Sequence, residues 1–326
     1  MDHAPHVHAP HTVSFAKAAL AALALASISS RLAAAPPAEA PPECRAQVQI
    51  ALLALAPGYA KAKRKLVAAS PGTIEHAIAA YAPARFHAVS EGMLGPIRPE
   101  AHCPVDMALV FDRFCIDRYE GSLVERLPDG TVAPVSPYVT PASVGHVYLA
   151  RSVKGVIPQG YISAAEAAEA CKASGKRLCE PVEWRVACGG SEGYAQPYGP
   201  WRHNDKCHDS GASPMLVYHQ DSMQRGWGQD ELNDPRNNQL EGTVAKTGAF
   251  PDCKNDFEVY DMVGNLHEWT ADPNGTFQGG YWLDTSQHGD GCAYRTISHG
   301  YDYHDYSTGF RCCADPASTA DSRHVY

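Results

Sequence analysis

The chain carries no Cys-x-x-Cys pair, no long basic tract and no internal repeat. The first absence removes the zinc-ribbon and thioredoxin-like readings of its cysteines. The second removes a nucleic-acid track. Net charge is −9, and the one basic cluster, Lys61-Ala-Lys-Arg-Lys65, sits among alanines and leucines as the solvated face of a helix. The N-terminal apolar run, Ala18–Ile28, is too short to span a bilayer. It follows Lys17 and precedes small residues at 31–35, so residues 1–35 read as an export signal, leaving no transmembrane segment in the mature protein. Cys44 follows Pro-Pro-Glu rather than small residues, so a lipoprotein anchor is not predicted. The histidines at 3, 6, 8 and 11 fall in the segment to be removed.

What is present is an excess of cysteine. Eleven cysteines in an exported chain of 326 residues point to disulfides, with at least one sulfur left over, and to a periplasmic or extracellular location. The length allows one large domain, or one domain plus an accessory segment. Residues 36–42 form a Pro-rich linker and 43–90 an Ala-rich helical spacer, so that 36–100 precede the domain proper. From Cys103 the texture changes to short strands, many turns and abundant Tyr, Gly and Cys. A helix is predicted over 163–174, with Ser163 as N-cap, Glu166 completing a capping box and Gly175 at the C-terminal end. A second is predicted over 180–188, with Pro181 in its first turn. Residues 189–256 show little periodicity, yet Trp201, Cys207, Trp227 and Cys253 mark a long ordered loop tied by a bridge.

The densest chemistry lies in Phe257-Glu-Val-Tyr-Asp-Met-Val-Gly-Asn-Leu-His-Glu-Trp269, followed by Gly279-Gly280 and Gly309-Phe-Arg-Cys-Cys313. Side-chain oxygens alternating around a glycine turn are what a hard cation asks of a loop. With Ala170-Cys171, Gly175-Lys-Arg-Leu178, Glu183-Trp184 and Ala187-Cys188 ahead of them in order, these blocks resemble the sulfatase-modifying-factor family, whose best-known members are formylglycine-generating enzymes. The resemblance covers roughly 103–315, and the domain is placed at 101–316 with a tail at 317–326. It implies an α+β class, in a C-type-lectin-like variant with little regular secondary structure. It also implies disulfides Cys171–Cys312 and Cys188–Cys292. Cys103–Cys115 and Cys207–Cys253 are then inferred as local staples, and Cys179–Cys313 because both stand extra beside the family positions. Cys44 remains. In the family the Gly-Asn-x-x-Glu-Trp block holds calcium, and carried over the ligands are the Asp261 and Glu268 side chains with the Gly264 and Leu266 carbonyls. A second calcium site falls near Cys207-His208-Asp209, where histidine replaces an expected oxygen ligand.

The family reaction needs two cysteines after Gly-Gly, which bind copper and oxidise a substrate cysteine with O₂. Soft thiolates suit Cu(I), and hard carboxylates do not replace them. Here Asp284 takes the first cysteine's place and 287–289 contain no thiol. His267 stands where the family has tryptophan, and Tyr281 where it has serine. Copper chemistry is therefore not expected. Asp284, His267, Gln287, His288, His299, Asp302, Tyr303, His304 and Asp305 fall at or near the former groove by order. Of these, His267, Asp284, His299 and His304 are the replacement candidates for a non-heme iron oxidase or oxygenase. Against that reading, His and Asp commonly hold each other and the backbone in loop-rich folds. The expectation is an exported family member without copper-cysteine oxidase activity, binding a peptide, protein or envelope component in that groove. A divergent metal oxidase, or an enzyme still converting cysteine to formylglycine, is the alternative.

Overall fold

A computed structural model describes residues 94–317 apart from 99, 143 and 298. The export segment, most of the linker and spacer, Cys44 and all but the first residue of the tail lie outside the described residues. Eleven short strands and a few helices carry the rest, in the α+β class with little regular structure.

The first sheet begins with a hairpin, β1 (Met107–Val110) and β2 (Phe114–Asp117). Phe111 and Asp112 both adopt positive φ, 51° and 55°, and Arg113 N donates to Val110 O, the geometry that matches strand twist in a tight hairpin. Strand β2 is buried along its length because β11 (Cys312–Ala314) covers its other side, and β6 (Arg177–Leu178) closes the order β1-β2-β11-β6. A second sheet orders β10 (Thr308–Phe310), β7 (His267–Trp269), β8 (Thr276–Gln278) and β9 (Arg295–Ile297). Its β10–β7 pair is parallel and the others antiparallel. The third sheet, β4-β3-β5, joins Val132–Pro134, Gly121–Arg126 and Tyr148–Ser152 in antiparallel register.

Helix α1 (Ala164–Ala173) has the expected reciprocal box: Glu166 N donates to Ser163 Oγ, and Ser163 N donates to the Glu166 carboxylate. Ser174 closes it, and Gly175 turns away at φ 72°. Its buried face is Ala164, Ala167, Ala170 and Cys171, small enough to sit close against a core of Ile162, Trp269, Phe277 and Phe310. Helix α2 (Pro181–Gly189) starts at Glu180, whose N–H donates to Glu183, and buries Trp184 against Phe114, Ile116, Met262 and Val263.

Five disulfides join these layers: Cys103–Cys115, Cys171–Cys312, Cys179–Cys313, Cys188–Cys292 and Cys207–Cys253. They are the pairs inferred above, and the adjacent Cys312 and Cys313 anchor α1 and the α2 entrance to β11. Such density is the signature of an oxidising, non-cytoplasmic compartment. Among the described residues no helix is long and apolar enough to cross a membrane.

Where β1, β2 and β6 meet, Lys176 bridges Asp106 at 2.7 Å and the fully buried Asp117 at 2.6 Å. Burial outweighs the Lys176 charge and pushes the Asp117 carboxyl up from 3.8 to about 6. Asp117 thus binds its proton more tightly folded than unfolded. Its contribution to stability is complete below about pH 4 and is lost as pH rises through about 6. Urea unfolding across that window should show a fall in stability that Asp117→Asn flattens by up to about 3 kcal/mol. An unchanged slope in the variant would contradict this assignment.

Candidate functional site

The block before β7 is a loop built from left-handed residues: Asp261, Gly264 and Asn265 have φ of 58°, 82° and 55°. Asn tolerates this conformation, but Gly264 is required for a second reason. A Cβ there would lie 2.2 Å from His208 O. That close approach lets Asn265 N donate to His208 O at 2.9 Å, while Gly264 N donates to Gly279 O at 3.0 Å. Gly279 repeats the device, since its Cβ would meet Met262 O at 2.6 Å. The Gly-Asn turn and the Gly-Gly pair therefore pack backbone on backbone.

This packing gathers charge. Glu268 is fully buried, and its carboxylate accepts from Arg311 Nε at 2.5 Å, Arg311 Nη2 at 2.6 Å and Trp184 Nε1 at 2.6 Å. Glu120, also fully buried, accepts from Asn265 Nδ2 at 2.6 Å and Leu266 N at 3.1 Å. Asp261 accepts from Gly248 N at 2.6 Å. Three buried carboxylates thus face one guanidinium. Burial, then the neighbouring acids, raises Glu120 well above the usual range, and burial pushes Asp261 up to about 7. Burial opposes the Arg311 charge, yet Glu268, Glu120 and Asp261 together hold it above its ordinary value.

The donor set suits calcium in kind. It is all hard oxygen, and the Asp261 and Glu268 carboxylates carry one formal negative charge beyond what Arg311 neutralises. Side chains alone do not complete it: among the described residues no three His, Cys, Asp or Glu side chains are placed to hold a metal ion. The Gly264 and Leu266 carbonyls would have to contribute. Asp261 is the freer carboxylate, because Arg311 and Trp184 already engage both oxygens of Glu268. At the second expected calcium position, His208 Nε2 bonds to Thr243 O and its ring stacks on Phe250 at 5.0 Å, while Asp209 pairs with Arg202 at 2.7 Å. Those residues are occupied with protein partners.

Around His267 the side chains are mostly rings. His267 lies against Phe277 at 4.5 Å, Tyr281 at 4.9 Å and Tyr294 at 5.5 Å. Phe277 continues to His299, and His299 to Tyr303 at 4.2 Å. His288 meets the edge of Tyr294. Burial, with smaller effects from His299 and His288, depresses His267 to about 3, so its imidazole is neutral; its Nδ1 is buried without a partner among the described residues. The carboxylates here serve the backbone and tyrosines. Asp284 accepts from Ser286 N, Gln287 N and Tyr294 OH. Asp305 accepts from Ser307 N and from Tyr303 OH. His304 Nδ1 sits between Asn233 Oδ1 at 2.8 Å and Thr140 Oγ1 at 3.2 Å. Of the four replacement candidates, only His267 and His299 share the ring wall. Asp284 reaches it through Tyr294, and His304 is tied to Asn233 and Thr140.

Glu120 was missed in the sequence, and so was the role of Arg311. Nothing local marks Glu120; its partners lie 145 and 146 residues away. Arg311 stood in a quoted block, but its placement beside Glu268 depends on the parallel β7–β10 pair.

The family model for the sulfatase-modifying factor enzyme 1-like domain matches residues 143–324, more than half of the chain. Among solved structures, the Major Tropism Determinant I1 Variant is similar at 16% identity over 67% of this chain and 55% of its own, with a TM-score of 0.40. "Crystal Structure of CarF" aligns at 14% identity over 69% and 98%, with a TM-score of 0.37. Treponema denticola variable protein 1 reaches 17% identity over 43% and 48%, with a TM-score of 0.25. The chain spans about half the length of the tropism-determinant chains it matches. Likenesses this loose carry no weight for function.

Breaking the buried pair tests the electrostatics directly. Arg311→Met leaves three buried carboxylates without a counterion and should cost about 3–5 kcal/mol, whereas Arg311→Met with Glu268→Gln should recover part of that loss. Denaturant midpoints at constant m-value measure both. A loss under about 1 kcal/mol in the single variant would refute the pairing.

Proposed function

This chain belongs to the sulfatase-modifying factor enzyme 1-like domain family, and we propose that it is an exported member that binds a partner instead of oxidising a cysteine. The domain is taken as 101–316, behind an export signal at 1–35 and a linker and spacer at 36–100, delivered to the periplasm or beyond. Cysteine accounting carries the reading. The family's copper chemistry needs a thiolate pair, and all ten cysteines of the described domain are joined in disulfides. Asp284, in the first thiol's place, is committed to its own turn and to Tyr294.

The ligand, a peptide, protein or envelope component, is received at the wall of His267, Tyr281, His299 and Tyr303. The half-buried Tyr281, His299 and Tyr303 would offer it aromatic faces, with His267 buried beneath them. The neutral state of His267 keeps the middle of that wall uncharged.

Calcium is the structural cofactor of this reading. Asp261, the Gly264 and Leu266 carbonyls, and Glu268 shared with Arg311 would hold it, and it would supply the positive charge that three buried carboxylates lack. Its role is to fix the Gly-Asn turn against the Gly-Gly pair, below the ring wall's β7.

Two measurements test the two halves. The full chain, treated with Cu(I) and O₂, should give no aldehyde product from a cysteine-containing peptide by mass spectrometry after thiol reduction; an aldehyde product would overturn the non-oxidising reading. Chelation should lower Tm by roughly 5 °C, about 2 kcal/mol for a domain of this size. Asp261→Ala should abolish that response by itself lowering Tm to about the value of the chelated wild type. A fully stable Asp261→Ala protein, indifferent to chelator, would refute the calcium seat, and stoichiometric iron lost in His267→Ala would favour the oxidase instead.

A further inference from the structure

A cleft of about 450 Å³ lies away from the residues of that site, between β5 and the C-terminal end of α1. Arg126, Leu149, Arg151, Ser174 and Lys176 are among its lining residues. Its geometry follows from strand register. Ser122 pairs with Arg151 and Val124 with Leu149, and Arg126 N donates to Val147 O just beyond. Side chains alternate between faces along a strand, so Arg126, Leu149 and Arg151 share one face of the third sheet. Arg126 lies four positions along β3 from the residue opposite Arg151. At about 3.3 Å per residue that places the two arginine Cα atoms roughly 13 Å apart along the strands.

Charge is distributed unevenly over this cleft. Lys176 is nearly buried and pairs with Asp106, which also lines the cleft, and with Asp117, so the middle carries no free positive charge. The middle is otherwise apolar, with Leu149, Ala150 and Ala173. Arg126 and Arg151 are exposed, and among the described residues neither has a carboxylate partner. In a chain of net charge −9, two uncompensated guanidinium groups at the ends of one concavity are a local reversal of sign. The frame is rigid: Ser174 Oγ accepts from Ala150 N at 2.7 Å and donates to Ala170 O at 3.0 Å, tying β5 to α1. Cys171–Cys312 ties α1 to β11.

We propose that this cleft is a second binding site, for a small molecule carrying two anionic groups on the order of 10 Å apart across an apolar or neutral middle. Planar guanidinium forks bind carboxylate, sulfate and phosphate oxygens in the same bidentate way, so the acid group is left to the ligand. The volume is that of a small-molecule pocket. The inference stands apart from the function proposed above and survives its failure.

Linear dicarboxylates of increasing length are the probe. Isothermal titration of the full chain at constant ionic strength compares succinate, suberate and sebacate, with octanoate as the single-acid control. The longer diacids should bind saturably, and succinate and octanoate about tenfold more weakly. Arg126→Gln and Arg151→Gln should each reduce suberate to the affinity of octanoate without changing Tm, since neither arginine supports the fold. An absence of saturable heat with every diacid would overturn the proposal. So would affinity indifferent to chain length and to both substitutions, the behaviour of dispersed surface charge.

Discussion

The Arg311 guanidinium is the point through which the parts of this domain are joined. It donates to Glu268 on β7, to the Asp117 carbonyl at the end of β2 at 3.0 Å, and to the Tyr260 carbonyl in the loop before β7 at 2.8 Å. Through Glu268 it also holds Trp184, the largest side chain of α2. Arg311 and Glu268 are almost completely removed from water. Removing two charges from water costs several kcal/mol per ion, which the pair offsets only because nearly every donor finds an acceptor. Its value lies in specificity: an arginine with fixed forks admits one arrangement of two sheets, one helix and one loop.

The disulfides and the acidic cluster act around that point in different ways. Cys171–Cys312 and Cys179–Cys313 follow directly after Arg311 and keep β11 in place when the chain has few regular hydrogen bonds to spare. Glu120 and Asp261 crowd further acid groups around Arg311, and burial holds both above the usual carboxylate range. A family whose fold is mostly loop needs such constraints, because short strands bury too little apolar surface to order long connections. With family membership established, the α+β arrangement is the C-type-lectin-like variant that membership carries.

Local structure was the most legible part of the sequence. The Ser163/Glu166 box and Gly175 sit within one contiguous stretch, so α1 could be read to within a residue or two. The positive φ of Gly264 and Asn265 was legible for the same reason, as a turn. Long-range electrostatics was not. Glu120 carries no motif, and its importance arises only when β3's entrance is folded against a turn more than a hundred residues away. Asp284 and His304 looked like ligands because Asp and His so often are. In the fold their polar atoms are taken up by Tyr294, Asn233 and Thr140, which no spacing rule could reveal. The ring wall around His267 depends on β7, β8 and the segment after β9 meeting, so its members lie far apart in sequence and read singly as ordinary aromatics.

The central claim is that this member keeps the family's scaffold and has given up its thiolate copper chemistry. X-ray absorption at the copper edge, on full-length unreduced protein exposed to Cu(I), addresses it at the metal itself. The account predicts no stoichiometric copper with sulfur in its coordination shell. Two short copper–sulfur contacts would contradict it, because they require a thiolate pair, and the five disulfides leave only Cys44.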